Sequence, residues 1–304
     1  MDNLLIVGTI FVDCKAYATE DYNPYGRNVG NIKFIHGGVG RNVAENLASL
    51  GFKVNFASTV ETTPIGNEVI AHLKEQKVDT KYVKAVEKGG MGIWSVIMDQ
   101  NGAQLGAVSQ MPDMTILEEH IKSNCKKMIR ENDAVLLEID LSPSISEMII
   151  NEANAQNKPV YALPGNMQVV LARQDLLSKL ACFVCNDIEA GRIFDLDASK
   201  ISDEELLEKA LYYGEFKGIN SMVITQGERG CVYYNLESGE KGSLPSIKTK
   251  VVDSTGAGDA FFSGLVAALV RNSTLKKAAE TGTTMASLTI RVEQNTFAGI
   301  EVGI

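Results

Sequence analysis

A glycine turn between two acidic residues, within VVDSTGAGDAFFSG at residues 251–264, has the residue types and spacing for catalysis. Gly256 and Gly258 permit a tight or left-handed backbone, and the small and apolar residues after Asp259 predict a buried helix. The free N–H groups of its first turn would converge beside the positive end of the helix dipole and form an anion hole. Asp259, at the edge of this hole, could accept a proton from a hydroxyl group.

Phosphoryl transfer to a hydroxyl requires these two functions together. The attacking hydroxyl needs a base, and the transferred phosphoryl group needs fixed positive dipoles. An isolated G-x-G-D would more often be only a helix N-terminus with a stabilising acid. A second glycine cluster, HGGVGRN at residues 36–42, also precedes a predicted helix and favours the catalytic interpretation. The chain has no G-x-x-x-x-G-K-[ST] motif, so its phosphate site is not a P-loop.

Two further strand ends carry polar or glycine residues that fit a nucleotide site. The NDIE motif places Asn186 and Glu189 on one helical turn directly after a predicted strand. One oxygen of each could hold the water shell of Mg²⁺, an ion that takes few protein ligands. VITQGERG places Thr225 and Gly227 at another strand end and Gly230 in the turn beyond it. Both motifs favour the catalytic interpretation of the glycine turn over that of a simple helix N-terminus.

Short apolar runs, from LLIVG to NSMVITQG, alternate with predicted helices along the chain. This pattern predicts an α/β fold with a mostly parallel sheet that helices cover on both faces. Residues 12–35 and 89–111 interrupt the alternation, and the second segment contains the hairpin signal Asn101-Gly102. We expect both segments to form one small β-sheet over the mouth of the main sheet, as the lid of a single domain of residues 1–304.

Composition and cysteine usage limit the partners and the compartment. The net charge of −9 disfavours a nucleic-acid or anionic-membrane partner. The five cysteines are scattered, and neither a signal peptide nor a transmembrane run opens the sequence, so we expect a cytoplasmic protein with reduced thiols. Cys182 and Cys185 form a C-x-x-C, which we interpret as part of a buried strand because no second ligand pair accompanies it.

In their order along the chain, GGVGRNVAENLASLG, NDIE, VITQGERG and DSTGAGDAFFSG resemble the motifs of the ribokinase-like (PfkB) carbohydrate and nucleoside kinases. The resemblance covers nearly the whole chain. It implies a three-layer α/β/α core with a small β-sheet lid, ATP as the phosphoryl donor, Mg²⁺ as a cofactor, and a small sugar or nucleoside as the acceptor. The lid stretch GIWSVIM would be marginal alone, and as in many relatives it would pack against the lid of a second subunit in a homodimer.

The resemblance also implies roles for individual residues. The reacting centre would consist of the general base Asp259 and an anion hole formed by Gly256, Ala257 and Gly258. The remaining assignments are Asn186 and Glu189 for Mg²⁺ and phosphate, Asp13, Gly38 and Asn42 for sugar hydroxyls, and Asp253 for a monovalent cation such as K⁺. Thr225, Gly227 and Gly230 are expected on the nucleotide side, with Asn295 of the C-terminal VEQNTFAG as a candidate for the adenine pocket.

Residue types alone leave several roles open. Asp13 would fit a solvated acid at a strand end equally well, and Asn42 would fit an exposed helix residue. Arg41 could contact a phosphate or lie on the surface, and Trp94 could cap a base or a sugar or pack within the lid. The loop ETTPIG retains Gly66 but lacks the acid that many relatives have there, which weakens any assignment of a sugar contact to this loop.

The glycine cluster also bears on the acceptor. GGVGRN is most similar to the pseudouridine kinase branch of the family, whereas ribokinases more often have GGKGAN, so Val39 and Arg41 carry the distinction. This similarity implies phosphorylation of the 5′-hydroxyl of pseudouridine. Ribose or another sugar or nucleoside is the alternative acceptor. A non-catalytic sugar- or nucleotide-binding regulator is the alternative function, although a binding protein would not need the base Asp259.

Overall fold

The computed structural model describes residues 3–100 and 103–297. The strands in these ranges are β1 (Asn3–Val7), β2 (Phe11–Ala18), β3 (Gly30–Gly37), β4 (Lys53–Glu61), β5 (Val78–Val86), β6 (Gly92–Met98), β7 (Gln104–Gln110), β8 (Ala134–Glu138), β9 (Val160–Leu163), β10 (Cys182–Asn186), β11 (Ser221–Thr225), β12 (Cys231–Asn235) and β13 (Lys241–Leu244). The α-helices are α1 (Val39–Ser49), α2 (Pro64–Glu75), α3 (Met114–Arg130), α4 (Pro143–Ala155), α5 (Gln168–Ala172), α6 (Asp187–Phe194), α7 (Asp203–Lys217), α8 (Ala257–Leu269) and α9 (Leu275–Thr289).

Nine of these strands form the central sheet, in the order β13-β12-β11-β10-β9-β8-β1-β4-β5. Neighbours from β11 to β5 are parallel, and β12 and β13 add an antiparallel edge. Successive residues of β1 belong to opposite layers, since Leu4 and Ile6 pack in one hydrophobic cluster and Leu5 and Val7 in the other. The predicted α/β fold class, with a mostly parallel sheet covered on both faces, is therefore confirmed.

The bounds of α2 illustrate how local chemistry sets an element. The sequence predicts a helix from about Ile65 to Lys77, whereas α2 begins at Pro64 and ends at Glu75. Thr63 accounts for the start, because its side chain accepts a hydrogen bond from Gly66 N and a proline follows it at the first helical position. Lys77 adopts a left-handed φ of 65° and so lies outside the helix.

A separate sheet of four strands, in the order β3-β2-β6-β7, forms the lid. Its strands come from the two segments that interrupt the αβ alternation, which agrees with the predicted lid. The predicted turn at Asn101-Gly102 lies outside the described residues. The lid is tied to the C-terminal part of the chain, because Lys33 Nζ pairs with Glu293 Oε2 at 2.7 Å.

Two expectations from composition can be compared with the structure. Cys182 and Cys185 are both buried in β10, as the core interpretation requires. They pack in different hydrophobic clusters, on opposite faces of the sheet, so they could not bind one metal ion together. Within residues 3–100 and 103–297, no helix combines the length and the apolar sequence needed to cross a bilayer.

Candidate active site

The predicted anion turn lies at the N-terminus of α8. Gly256 has a left-handed φ of 79°, and a Cβ atom there would collide with the backbone carbonyl group of Asn295. Only glycine therefore fits this position. The helix begins at Ala257, and a Cβ atom on Gly258 would meet no described atom within 4 Å. The open space beside Gly258 leaves room for an anion at the helix N-terminus.

Asp259 lies in the first turn of α8, where its Oδ2 accepts a hydrogen bond of 2.6 Å from Asn42 Nδ2. Burial raises the pKa of Asp259 to about 7, although the hydrogen bond from Asn42 opposes this shift. The charge of Arg41 also lowers the pKa, whereas the carboxylates of Glu138 and Glu189 raise it. A carboxyl group that titrates near neutral pH suits a general base. The structure thus brings the predicted base into contact with a predicted sugar ligand.

A buried ion pair orients the side chain of Asn42. Arg41 Nη2 donates a hydrogen bond to Asn42 Oδ1, so the amide Nδ2 faces Asp259. Arg41 Nη1 also pairs with Glu45 Oε2 at 2.5 Å, and the two side chains are only 2% and 4% exposed. Both Arg41 and Asn42 are therefore buried, and the interpretation of either as a surface residue is wrong.

Glu45 connects this ion pair to a second group of polar residues. Glu45 Oε1 accepts a hydrogen bond of 2.7 Å from Thr296 Oγ1, and Oε2 lies 3.2 Å from His72 Nε2. Burial alone would raise the pKa of Glu45, but these contacts and the charge of Arg41 hold it at about 2. The hydrogen bond to Glu45 raises the pKa of His72, and the His36 ring packs edge-on against that of His72.

The predicted sugar ligands lie together at the junction of the lid and α1. Asp13 is buried in β2, where its Oδ2 accepts a hydrogen bond of 2.8 Å from Asn295 Nδ2. The interpretation of Asp13 as a solvated acid is therefore wrong, and burial raises its pKa. Gly38 has a left-handed φ of 97°, and its carbonyl oxygen accepts a hydrogen bond of 2.9 Å from Asn42 N. Asn295 thus lies beside Asp13, on the acceptor side.

A cavity of about 940 Å³ occupies the other side of the glycine turn. Its lining includes the predicted nucleotide-side residues Asn186, Thr225, Gly227, Gly230, Ala257 and Gly258. Apolar side chains, among them Ile247, Phe261 and Ile290, form further parts of the wall. This volume and mixture of surfaces fit a nucleotide. Within the described chain, Asn295 does not line this cavity, so the structure does not bring it together with the other predicted nucleotide ligands.

Asn186 and Glu189 form a reciprocal cap at the start of α6. Asn186 Oδ1 accepts a hydrogen bond from Glu189 N, and Glu189 Oε2 accepts one from Asn186 N, both at 2.8 Å. Burial raises the pKa of Glu189 to about 7. Among the described residues, no three acidic, histidine or cysteine side chains are grouped to hold a metal ion directly. The residues present would therefore suit Mg²⁺ only through its water shell and the phosphates of a nucleotide.

Two acidic residues that the motifs did not identify lie at the end of β8, where Glu138 is its last residue and Asp140 follows it. Both oxygens of Glu138 accept hydrogen bonds from the Thr9 hydroxyl group, and Thr9 N donates to Oε2 at 2.8 Å. Asp140 accepts hydrogen bonds from five backbone N–H groups of residues 165–170 and so fixes both the loop before α5 and the start of this helix. The signal in the sequence is LLEID, in which acidic residues follow a buried run at the carboxyl edge of the sheet.

Asp253, predicted near a monovalent cation, is already paired with protein groups. Its Oδ2 accepts a hydrogen bond of 2.6 Å from Lys15 Nζ in the lid. Its Oδ1 accepts hydrogen bonds from Thr255 N at 2.9 Å and from Thr255 Oγ1 at 2.7 Å. Burial would raise the pKa of Asp253, but these hydrogen bonds outweigh it and lower the pKa. The ammonium group of Lys15 therefore lies where the resemblance implies an ion.

Comparisons with known proteins agree on the family. Residues 1–300 match the family described as pfkB family carbohydrate kinase. A guanosine-inosine kinase from Exiguobacterium acetylicum is 34% identical over 295 residues, which cover 97% of this chain and 96% of that protein. A pseudouridine kinase from Escherichia coli (strain K12) is 29% identical over 269 residues, which cover 88% and 84% of the two chains.

Solved structures show the same fold. The structure of ribokinase from Giardia lamblia has a TM-score of 0.83 at 17% identity, with 97% of this chain and 96% of that chain covered. Arabidopsis thaliana ribokinase complexed with ribose and ATP has a TM-score of 0.80 at 19% identity, with 96% and 93% covered. At these identities the likeness establishes the ribokinase-like architecture.

Replacement of Asp259 tests both its role and its charge. Asp259→Asn should lower kcat by about 10²–10⁴-fold or more, because the base is lost. Wild-type kcat/KM should rise with pH through about 7, where Asp259 ionises.

The raised pKa of Asp259 also affects stability. Because the pKa rises from its ordinary value of 3.8 to about 7 on folding, the stabilisation from the protonated carboxyl group is present at low pH and is lost as pH rises through about 7. In urea unfolding, Asp259→Asn should therefore gain stability relative to wild type between pH 4 and 8. A kcat of Asp259→Asn within a few-fold of the wild-type value would exclude the role of Asp259 as the general base.

A second prediction concerns the ion pair between Arg41 and Glu45. Arg41→Met removes a charge that lowers the pKa of Asp259, so the acid limb of the pH–kcat/KM profile should move to higher pH. The variant should also lose stability, because the buried Glu45 carboxylate loses its guanidinium partner and keeps only His72 and Thr296. The double variant Arg41→Met, Glu45→Leu should recover stability but keep the shifted profile. Lys277→Met, which breaks an exposed pair with Glu280, should change neither property. An unshifted profile in the double variant would contradict the coupling of Arg41 to Asp259.

Proposed function

This chain belongs to the pfkB family of carbohydrate kinases, and we propose that it transfers the γ-phosphoryl group of ATP to the 5′-hydroxyl group of a ribonucleoside. The observation that carries the proposal is the position of Asp259. It accepts a hydrogen bond from the buried Asn42, a predicted acceptor ligand, and it directly follows Ala257 and Gly258, which line the 940 Å³ cavity. A base and a helix N-terminus at such a junction can serve an acceptor hydroxyl and a phosphoryl donor together.

Each part of the site has one task in this proposal. Asp259 accepts the proton of the attacking hydroxyl, and the N–H groups of the Gly256–Gly258 turn stabilise the negative charge of the transferred group. Asp13 and Asn42 bind the ribose hydroxyls and so orient the 5′-oxygen. Mg²⁺, when bound with ATP, would add positive charge to the phosphates. Asn186 and Glu189 would hold its water shell.

Trp94 supports a nucleoside rather than free ribose as the acceptor. It lies directly opposite Asp13 in the pairing of β2 with β6, and side chains of paired residues point to the same face of a sheet. The indole group is half-buried on the face that carries Asp13. An aromatic side chain beside a ribose ligand offers a stacking surface for a base. Free ribose would leave this surface without a partner.

The identity of the nucleobase is the most detailed part of the proposal. The expectation of pseudouridine depended on Val39 and Arg41, but Arg41 is buried behind Asn42 and its guanidinium group binds Glu45. Arg41 therefore cannot contact the nucleobase of the acceptor directly. The relative named as a guanosine-inosine kinase is more similar to this chain, in identity and in coverage, than the one named as a pseudouridine kinase. We propose guanosine or inosine as the first acceptor and pseudouridine as the second.

A panel of acceptors tests the assignment. With ATP and Mg²⁺, ADP release should give the highest kcat/KM for guanosine or inosine, lower values for pseudouridine and uridine, and the lowest value for ribose. A pseudouridine value above both purine nucleosides would overturn the order of the bases and leave the nucleoside kinase in place. A ribose value above every nucleoside would overturn the nucleoside proposal.

The same acceptors also test whether Trp94 stacks on the nucleobase. Trp94→Ala should raise KM for nucleosides by about one to two orders of magnitude, since stacking contributes about 1–3 kcal/mol per base. It should change the KM for ribose little, and Trp94→Phe should keep most of the nucleoside affinity. Met98→Ala, further along the same face of β6, is the matched control. Equal losses for ribose and nucleosides would show that Trp94 supports the lid and does not stack on a base.

We also propose that the protein is a homodimer joined through the lid. The outer face of the lid carries apolar side chains that are well exposed in the monomer, namely Ile32 at 63%, Phe34 at 64% and Val108 at 74%. Phe34 and Val108 share this face, since β3, β2, β6 and β7 pair in register through Cys14 and Ser95. A contiguous apolar patch of this kind is typical of an interaction surface.

Charge on this face should separate the subunits. Phe34→Asp and Val108→Asp should each give a monomer in sedimentation velocity at micromolar concentration, because a carboxylate would have to be buried in the interface. Tyr212→Asp on α7, where the side chain is 72% exposed outside the lid, is the control and should remain dimeric. A monomeric wild-type protein, with or without ligands, would contradict the proposed dimer.

A further inference from the structure

The lid contributes a buried lysine to the glycine turn. The Lys15 side chain is only 1% exposed, and its Nζ lies 2.6 Å from Asp253 Oδ2 and 3.2 Å from Thr255 Oγ1. Thr255 directly precedes Gly256 and Asp253 lies three residues before it, whereas Lys15 is 238 residues away from Asp253 in the chain. An ammonium group is costly to bury unless it is paired and hydrogen-bonded. The pairing with Asp253 and Thr255 meets that requirement at the turn that precedes α8.

A second lysine of the lid shows that this burial is specific. Lys33 is the register partner of Lys15 in the pairing of β2 with β3, and it points to the same face. Its side chain is 44% exposed, and it pairs with Glu293, which is 58% exposed. Two neighbouring lysines on one face thus have different environments. Only the Lys15 ammonium group lies against the turn that leads into the anion site.

The groups around Asp253 do not fit a free monovalent cation. Such an ion requires several oxygen ligands at once, but Asp253 Oδ2 accepts from Lys15 and Oδ1 accepts twice from Thr255. An ion bound to Asp253 would lie within a few ångströms of the Lys15 ammonium group, and two like charges at that distance repel strongly. The carboxylate already has its positive partner.

We propose that the Lys15 ammonium group is a built-in cation that replaces a bound monovalent ion at the glycine turn, so that the kinase activity does not depend on K⁺. It neutralises Asp253 and so leaves the positive field of the α8 N-terminus available to the phosphoryl group. Through Asp253 and Thr255 it also fixes the backbone that enters Gly256. Lys15 is therefore a positioning residue that acts on the anion site without contact to the substrate.

Ion rescue of a truncated side chain tests this directly. The assay is ADP release with saturating ATP and acceptor, in KCl or in choline chloride at the same ionic strength. Wild-type kcat should agree within twofold in the two salts. Lys15→Ala should lose at least tenfold in choline chloride and recover, with saturation, in KCl or NH₄Cl, because a small cation can enter the vacated space beside Asp253. Lys15→Met should lose activity and gain nothing from either salt, since its side chain fills that space.

Lys33→Ala is the matched control and should show neither the loss nor the rescue. A second measurement needs no acceptor, so a wrong acceptor assignment cannot affect it. The melting temperature of Lys15→Ala should be higher in KCl than in choline chloride, with no such difference for wild type or Lys15→Met. Activation of the wild type by K⁺ of more than threefold would overturn the proposal. So would full activity of Lys15→Ala without K⁺, or a loss that no monovalent cation rescues in either measurement.

Discussion

The hydrogen bond between Asn42 and Asp259 joins two helices that begin 218 residues apart, at Val39 and Ala257. The rest of the site follows from the need to keep this contact in one orientation. An amide group can face a carboxylate with either its nitrogen or its oxygen, and only the nitrogen gives an attractive contact. Arg41 removes that choice by donating to the amide oxygen, and Glu45 balances the charge that Arg41 brings into the interior. The carboxylate of Asp259, the predicted base on α8, thus bonds to an amide group that an ion pair within α1 orients.

The site also concentrates negative charge around the glycine turn. Burial raises the pKa values of Glu138, Glu189 and Asp259, and the charge of each of the first two raises that of Asp259 further. Three carboxyl groups of this kind would repel the phosphates of a nucleotide when ionised. The N–H groups of α8 and a metal ion that arrives with the nucleotide would offset this repulsion. The electrostatics therefore favour a nucleotide with its cation over the free nucleotide.

The sequence was sufficient for the fold class, because the alternation of apolar runs and helices is a local pattern. The predicted glycine turn also rests on a local pattern. The left-handed Gly256, the start of α8 at Ala257 and the reciprocal cap of Asn186 and Glu189 all involve residues within one turn. Contacts between distant segments had no such signal. Lys15 and Asp253, or Asp13 and Asn295, can be paired only when the lid and the C-terminal segment are placed together. The burial of Arg41 could not be predicted from its residue type either, because a charged residue is buried only where the fold provides its partner.

The contacts of β2 can form only after distant parts of the chain have been synthesised. Asp13 and Lys15 precede their partners Asn295 and Asp253 by 282 and 238 residues, so they leave the ribosome long before those partners are made. At 5–20 residues per second, these two charged side chains remain without their final partners for roughly tens of seconds. The contacts of β2 are therefore completed late, although this strand is made early. A nascent chain could assemble most of the parallel sheet before its active site existed, and loss of the C-terminal segment would remove the anchor of Asp13 at the opposite end of the sequence.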